Sequence, residues 1–265
     1  MPRAMWTGTV SFGLVNVPVK MFTAARSQDV RFNQLHATDG ARISMKRVCS
    51  ADGEDVPFGE IVKGYEVSPD HYVTVTSEEL DALTPSVTNG IEIEEFVDLA
   101  EIDPVYFESS YYLAPGKGGA KAYALLLKAM RDSGKIALGR VVLRNKQYLT
   151  ALRPAGDALA MCTLYFPDEV VATSELEDLP GEQEFAEREL AMARQLIETL
   201  SAEFEPGKYR DEYREKLLEL IEQKASGQEV MAPRRIEEAP RVVDLMAALE
   251  ASIAAARADR EKQTA

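Results

Sequence analysis

The sequence predicts an α+β protein, with a barrel-like sheet over residues 1–165 and helices after it. Three observations predict it. Short stretches of alternating apolar and polar residues recur between Asp-Gly, Pro and Asn-Gly turn signals. Beyond residue 185 the apolar spacing changes to three and four. The 265 residues, 46% hydrophobic and 28% charged, are enough to bury a core.

Trp6, Gly8, Val10, Phe12 and Leu14 alternate with Thr7, Thr9, Ser11 and Gly13, the spacing of a half-buried strand. At Gly13 the parity flips to Val15, Val17 and Val19, which predicts a bulge or bend there. Further strands are expected over residues 30–36, 43–49, 72–76, 91–97, 137–143, 148–152 and 159–165. A helix over 120–131 follows a Pro-Gly-Lys-Gly-Gly loop and sets Ala122, Leu125, Leu126 and Ala129 on one face. Its Lys121, Lys128 and Arg131 gather on one side, joined by Lys135 if the helix runs on. Leu190, Ala193, Ile197, Leu200 and Phe204 mark a later helix, and Tyr209, Tyr213, Leu217, Leu220 and Ile221 continue the theme. The polar stretch 225–240, with Gly227, Pro233 and Pro240, reads as a linker. A last helix over 241–257 carries the narrow stripe Val242, Met246, Leu249 and Ile253.

The net charge of -14 argues at first against nucleic acid, because duplex binding relies on Lys and Arg meeting phosphates. The charges are sorted along the chain, however. Residues 1–47 hold 7 Lys+Arg against 2 Asp+Glu, a net of +5, and residues 109–153 hold 9 against 1, a net of +8. Residues 48–108 carry 1 against 16, and residues 154–265 carry 13 against 25. A fold could bring the two basic blocks to one surface, or leave them as ordinary solvated faces. Two cysteines are too few for a disulfide framework, and neither a signal pattern nor a membrane-length apolar run is present. A cytoplasmic, nucleoid-associated location is the expectation.

Most enzyme classes fail on inventory. His36 and His71 have no metal-ligand spacing, and no cysteine pair joins them. The Gly116–Lys121 run precedes a helix but lacks the spacing with which a phosphate loop wraps its ligand, so it reads as a turn with a basic helix start. The acidic pairs Glu78-Glu79 and Glu94-Glu95 lie among solvated charges. No catalytic residue, cofactor or metal is expected.

The string Met5-Trp6-Thr7-Gly8-Thr9-Val10-Ser11-Phe12-Gly13-Leu14-Val15-Asn16-Val17-Pro18-Val19-Lys20 resembles the opening signature of the prokaryotic Ku family. Further landmarks follow in order: Phe32-Asn33-Gln34-Leu35-His36, Met45-Lys46-Arg47-Val48-Cys49, Lys63-Gly64-Tyr65-Glu66 and Tyr111-Tyr112-Leu113-Ala114-Pro115. Leu143-Arg144-Asn145-Lys146, Leu164-Tyr165-Phe166-Pro167-Asp168-Glu169 and Tyr209-Arg210-Asp211-Glu212-Tyr213 complete the set.

The resemblance implies a Ku-type β-barrel core over residues 1–224, with a projecting strand arm near 41–76 and helices near 185–224. Two protomers would close a ring around duplex DNA, and an isolated strand hairpin is marginal, so the homodimer would be obligatory. A ring touching sugar and phosphate would bind ends without reading sequence. The inner surface is expected to use Lys20, Arg26, Arg31, Arg42, Lys46, Arg47, Lys63, Arg144 and Lys146, and secondarily Lys117, Lys121, Lys128 and Arg131. For each of them an ordinary surface ion pair is the alternative.

The resemblance also implies a partner, the multi-domain ATP-dependent DNA ligase of non-homologous end joining. The docking element would be the segment 241–265, through Val242, Leu245, Met246 and Leu249. The alternative is that this helix packs back on its own chain.

Two departures from the family's pattern stand out. Where many relatives carry a second cysteine after the one matching Cys49, this chain has Asp52, so no zinc is expected. Many also continue into a lysine-rich tail, where this sequence reads Gln263-Thr264-Ala265, which puts in doubt an extra role in bridging ends or sliding along DNA. Two other classes remain open: a Ku-fold interaction scaffold with weak DNA binding, and a hydrolase using the carboxylate clusters. Steep salt dependence would separate the first from an end-binding ring, and metal-dependent turnover would reveal the second.

Overall fold

Gly13 is where the sheet begins to fold back on itself. Its φ of 58° lies in the left-handed region, and Gly13-Leu14 form a two-residue turn with Phe12 opposite Val15. The parity flip at Gly13 therefore marks a hairpin rather than a bend within one strand. The computed structural model describes residues 3–83, 90–143, 146–227 and 245–264.

The hairpin joins β1 (Trp6–Phe12) to β2 (Val15–Thr23). A long excursion follows, containing the short hairpin β3 (Lys63–Ser68) and β4 (His71–Val75) and the helix α1 (Ser77–Leu83). The chain then makes β5 (Gly90–Asp98), β6 (Phe107–Pro115), α2 (Ala120–Ser133), β7 (Lys135–Leu143), β8 (Lys146–Ala155) and β9 (Ala158–Leu164). Seven strands close a barrel in the order β1-β2-β6-β9-β8-β7-β5. All neighbours are antiparallel except the closing pair, where β1 runs parallel to β5 through Thr9–Gly90, Val10–Ile91 and Ser11–Glu92. Closure removes the edges that an open sheet would expose.

The interior follows from period-2 alternation. Val10, Val17, Val19, Met21, Ile91, Leu113, Val141, Leu152, Leu159 and Met161 form one buried cluster with Tyr123, Leu126 and Met130 of α2. Thus α2 closes one end of the barrel. The buried stripe of α2 is Tyr123, Leu126 and Met130, while Leu125 and Ala129 are exposed, so the apolar face is rotated from the one that spacing alone suggests. The helix stops at Gly134, whose φ of 67° gives a left-handed cap, and Lys135 already belongs to β7. Lys135 pairs with Asp98 at 2.8 Å and does not extend the basic side of the helix.

One hydrogen bond pair locks the plug. The Tyr123 hydroxyl donates to Leu113 O at 2.6 Å and accepts from Leu159 N–H at 2.7 Å, where the β6–β9 ladder ends. Burial pushes the phenol above its ordinary value, and the Leu159 N–H pulls partly back. A raised phenol pKa stabilises the fold below the unfolded value near 10 and loses that contribution as pH rises through the folded value. Tyr123→Phe strands a buried carbonyl and a buried N–H, so urea unfolding should show a loss of about 2–4 kcal/mol. An unchanged midpoint would mean that the bridge contributes nothing.

Residues 30–36 and 43–49 are not strands. They form only isolated bridges, Leu35–Arg42 and Val48–Asp55, around the turns at Gly40 and Gly53. Their apolar side chains Leu35, Ile43, Met45 and Val48 are exposed, with no sheet face to join. Conversely, β3, β6 and α1 add to the expected elements. In β6, Phe107, Ser109, Tyr111 and Leu113 carry a period-2 signal diluted by the serines.

Residues 29–32 and 176–265 form a second unit. Within it lie α3 (Glu187–Leu200), α4 (Glu212–Ala225) and α5 (Leu245–Thr264). Asp211 caps α4 by accepting from Arg214 N–H at 2.9 Å, and Phe204 stacks on Tyr209 at 5.8 Å in the connection. Phe204 and Tyr209 thus lie outside the helices that their spacing suggests. Helix α5 packs along α3, tied by Arg188 to Glu250 at 3.6 Å. Most of the expected linker, 228–240, and the start of the last helix, 241–244, lie outside the described residues. No helix among the described residues is long and apolar enough to cross a membrane.

Candidate nucleic-acid interface

The glycine-rich loop before α2 is shaped by β2. Gly116 N–H donates to Pro18 O at 2.8 Å, and a Cβ on Gly119 would sit 2.6 Å from the same oxygen. Glycine lets the two backbones touch, so Lys117 and Lys121 are delivered beside β2. The register sets Lys20 across from Ala114, three residues ahead of Lys117. The structure therefore gathers Lys20, Lys117 and Lys121, all exposed, from both basic blocks of the sequence.

The remaining basic residues divide by what they touch. Lys46 pairs with Asp55 at 2.7 Å, Arg42 donates to Asn33 Oδ1, and the Arg47 guanidinium lies 5.5 Å over the Phe58 ring. On α2, Lys128 pairs with Asp132 at 2.8 Å and Arg131 donates to Gly156 O at 2.5 Å. Lys146 pairs with Glu169 at 3.3 Å and sits 5.1 Å over the Tyr148 ring. That pairing raises the Lys146 ammonium, while the Phe166 N–H and then Lys146 lower the Glu169 carboxyl. Among the described residues, Lys20, Arg26, Arg31, Lys63, Lys117 and Lys121 have no carboxylate within 4.0 Å. Arg31 lies in the helical unit and the others in the barrel unit. Arg144 lies outside the described residues.

Residues 25–83 contain no buried side chain. They nevertheless display Met45, Phe58, Val62, Tyr65, Val67 and Tyr72, all exposed. A chain that folds alone rarely leaves so much apolar surface in one segment.

The turn at Cys49 bears on metal binding. Cys49 N–H donates to Glu54 O, and the Asp52 carboxylate accepts from Glu54 N–H at 2.9 Å. Asp52 thus closes its own turn, and one thiol beside it falls short of the four donors a structural zinc takes. Among the described residues no group of three potential ligands comes together.

On α5, Met246 and Leu249 are half-buried and Ile253 is buried, so the described part of the apolar stripe lies on the packed side of the helix. Leu245 opens the helix, and Val242 lies outside the described residues. No sequence signal points to Arg140, which pairs at 3.4 Å with Glu94, the extra residue of a bulge in β5.

Comparison with known proteins agrees with this architecture. The family model described as the Ku70/Ku80 beta-barrel domain matches residues 11–192. A protein from Anaeromyxobacter sp. named "Non-homologous end joining protein Ku" is 52% identical over 97% of this chain and 87% of its own length. Proteins of the same name from Archaeoglobus fulgidus and Bacillus subtilis are 42% and 39% identical, covering 94% and 95% of this chain and 99% and 81% of theirs. With a closed seven-stranded barrel and similarity along nearly its whole length, the chain belongs to the Ku family.

Proposed function

We propose that the protein binds ends of double-stranded DNA without reading sequence, as a homodimeric ring, and brings an ATP-dependent DNA ligase to them in non-homologous end joining. The observation that carries this reading is the segment 25–83, which holds no buried residue yet exposes Met45, Phe58, Val62, Tyr65, Val67 and Tyr72, with the exposed hairpin β3–β4 inside it. An isolated two-stranded hairpin is marginal in water, and a second copy supplies the surface it lacks. The names of the relatives support the repair role. The unpaired Lys20, Lys63, Lys117 and Lys121 supply cations for phosphates, and the ion pairs of Lys46, Lys128 and Lys146 are exposed enough to exchange a carboxylate for a phosphate at little cost. Acidic segments elsewhere repel the backbone and limit binding away from ends. The protein itself turns nothing over. Its contribution is to hold ends and to recruit.

Ligase docking rests on residues 242–249. Since Met246 and Leu249 face inward on α5, docking either uses the segment before the helix or exchanges the α3 contact for the ligase.

One experiment tests both parts. Linear duplexes of increasing length and a covalently closed circle are compared by gel shift, using the full chain and a chain ending at residue 240. Discrete complexes should grow in number with length and be absent on the circle for both chains, while stimulation of ligation should be lost in the shorter one. Equal binding to linear and circular DNA would overturn the ring. Undiminished ligation by the shorter chain would overturn the docking site.

A further inference from the structure

The barrel end opposite α2 holds a pocket with a chemistry of its own. The starts of β1, β6 and β8 and the ends of β2, β7 and β9 meet there around a cavity of about 150 Å³. Trp6, Tyr111 and Tyr148 line it, each packed against the main core cluster, so the rings are held in place. The charged group in its wall is Glu108, and no described lining residue is basic.

Glu108 is there because of a bulge. The β6–β9 register shifts between Phe107 and Ser109, so Glu108 is the extra residue on its strand. Bulges of this kind re-aim a side chain. The carboxylate is then fixed: it accepts from the Thr163 hydroxyl at 2.9 Å, and that oxygen in turn accepts from Ser109 N–H at 3.1 Å. Thr163 is buried, so the support is rigid. Glu108 Oε1 has no hydrogen bond among the described residues.

Three immobilised aromatic rings with one oriented carboxylate form a receptor for a single positive headgroup, and the described cation nearest them, Lys146, is itself held by Glu169. Size narrows the choice. A cavity of this volume admits one benzene-sized group and is well below the roughly 300–1,000 Å³ of cofactor and drug-sized sites. A phosphate is repelled by Glu108. One of the rings already shows the affinity, since the Lys146 ammonium rests over Tyr148 at 5.1 Å while Glu169 holds it.

We infer that this pocket takes the side chain of a lysine or arginine presented by a protein partner. The inference is independent of the DNA-binding reading.

Trp6 is the only tryptophan in the chain, so it reports on the pocket without labelling. The full-length protein is titrated with the N-acetyl methylamides of lysine, arginine and norleucine while tryptophan emission is followed. Lysine or arginine should give a saturable change, norleucine none, and Glu108→Gln should weaken the response about tenfold. The glutamine keeps an oxygen for the Thr163 hydroxyl, and an unchanged melting curve will show that the fold survives. An equal response to norleucine, a response indifferent to Glu108→Gln, or no saturable response would overturn the inference. A stronger response to thymidine monophosphate than to either cation would overturn it in favour of an unpaired base.

Discussion

Gly139→Ala is expected to cost about 3 kcal/mol or more, read as an early midpoint in urea unfolding. The position is not special in its dihedral angles but in its neighbour. A Cβ there would lie 2.1 Å from Glu92 O and 2.9 Å from the Glu92 carbonyl carbon, both backbone atoms that no rotamer change can move. The crowding comes from the bulge in β5, where the ladder with β7 slips between Ile93 and Glu95 and draws the two strands together. Behind Gly139, Thr150 is fully buried and its hydroxyl donates to Gly139 O at 3.3 Å, so β7 cannot yield on that side without stranding a polar group. Gly181→Ala is the control, because its Cβ would meet nothing within 4 Å. If both variants unfold at the wild-type midpoint, β5 and β7 do not approach as described.

The second large effect concerns affinity. Changing Lys20, Lys63 and Lys121 together to glutamine is expected to weaken binding to a linear duplex on the order of a hundredfold or more at moderate salt. The reason lies in what these ammonium groups lack. Each is exposed, and among the described residues none has a carboxylate within 4.0 Å. Each is therefore free to release counterions from a phosphate. The slope of log affinity against log salt should fall by roughly 0.9 for each phosphate that is no longer neutralised, and in a homodimer every substitution acts twice. The single change Lys128→Gln should act more weakly, because it removes one cation where the triple variant removes three. A triple variant with the wild-type salt slope would remove these lysines from the interface and turn attention to Arg26 and Arg47.

The strands with strict alternation are legible from residues alone. Val10, Val17 and Val19 read inward and are buried, whereas Leu14 and Val15 of the same alternation flank the turn and are exposed. Two kinds of information are not. Apolar alternation in 30–36 and 43–49 looks the same whether it faces a core or awaits one, and only tertiary pairing distinguishes them. Bulges are also invisible: nothing in Ile93-Glu94-Glu95 or Phe107-Glu108-Ser109 announces an extra residue, yet these re-aim Glu94 toward Arg140 and bring Glu108 into the barrel mouth. The gathering of Lys20 with Lys117 and Lys121 depends on a backbone contact across about a hundred residues, between Pro18 and Gly116, which no local pattern encodes. The α2 stripe defeats a count of apolar residues because Tyr123, with its polar tip, takes a buried place by finding two backbone partners.

The parallel pairing of β1 with β5 also bears on how this barrel forms and varies. β2 and β5 flank the same strand, β1, and β2 ends where β5 begins, toward the end of the barrel marked by Trp6. The intervening stretch therefore departs and returns on either side of one strand, like a handle fixed at both ends to one rim. The entropy of closing such a loop rises only with the logarithm of its length, about 0.6 kcal/mol for each doubling. Residues can accordingly be gained or lost in the handle with little strain on the barrel. The closing contact joins residues some eighty positions apart, so it should form late in folding, after the local hairpins have offered both strands a template.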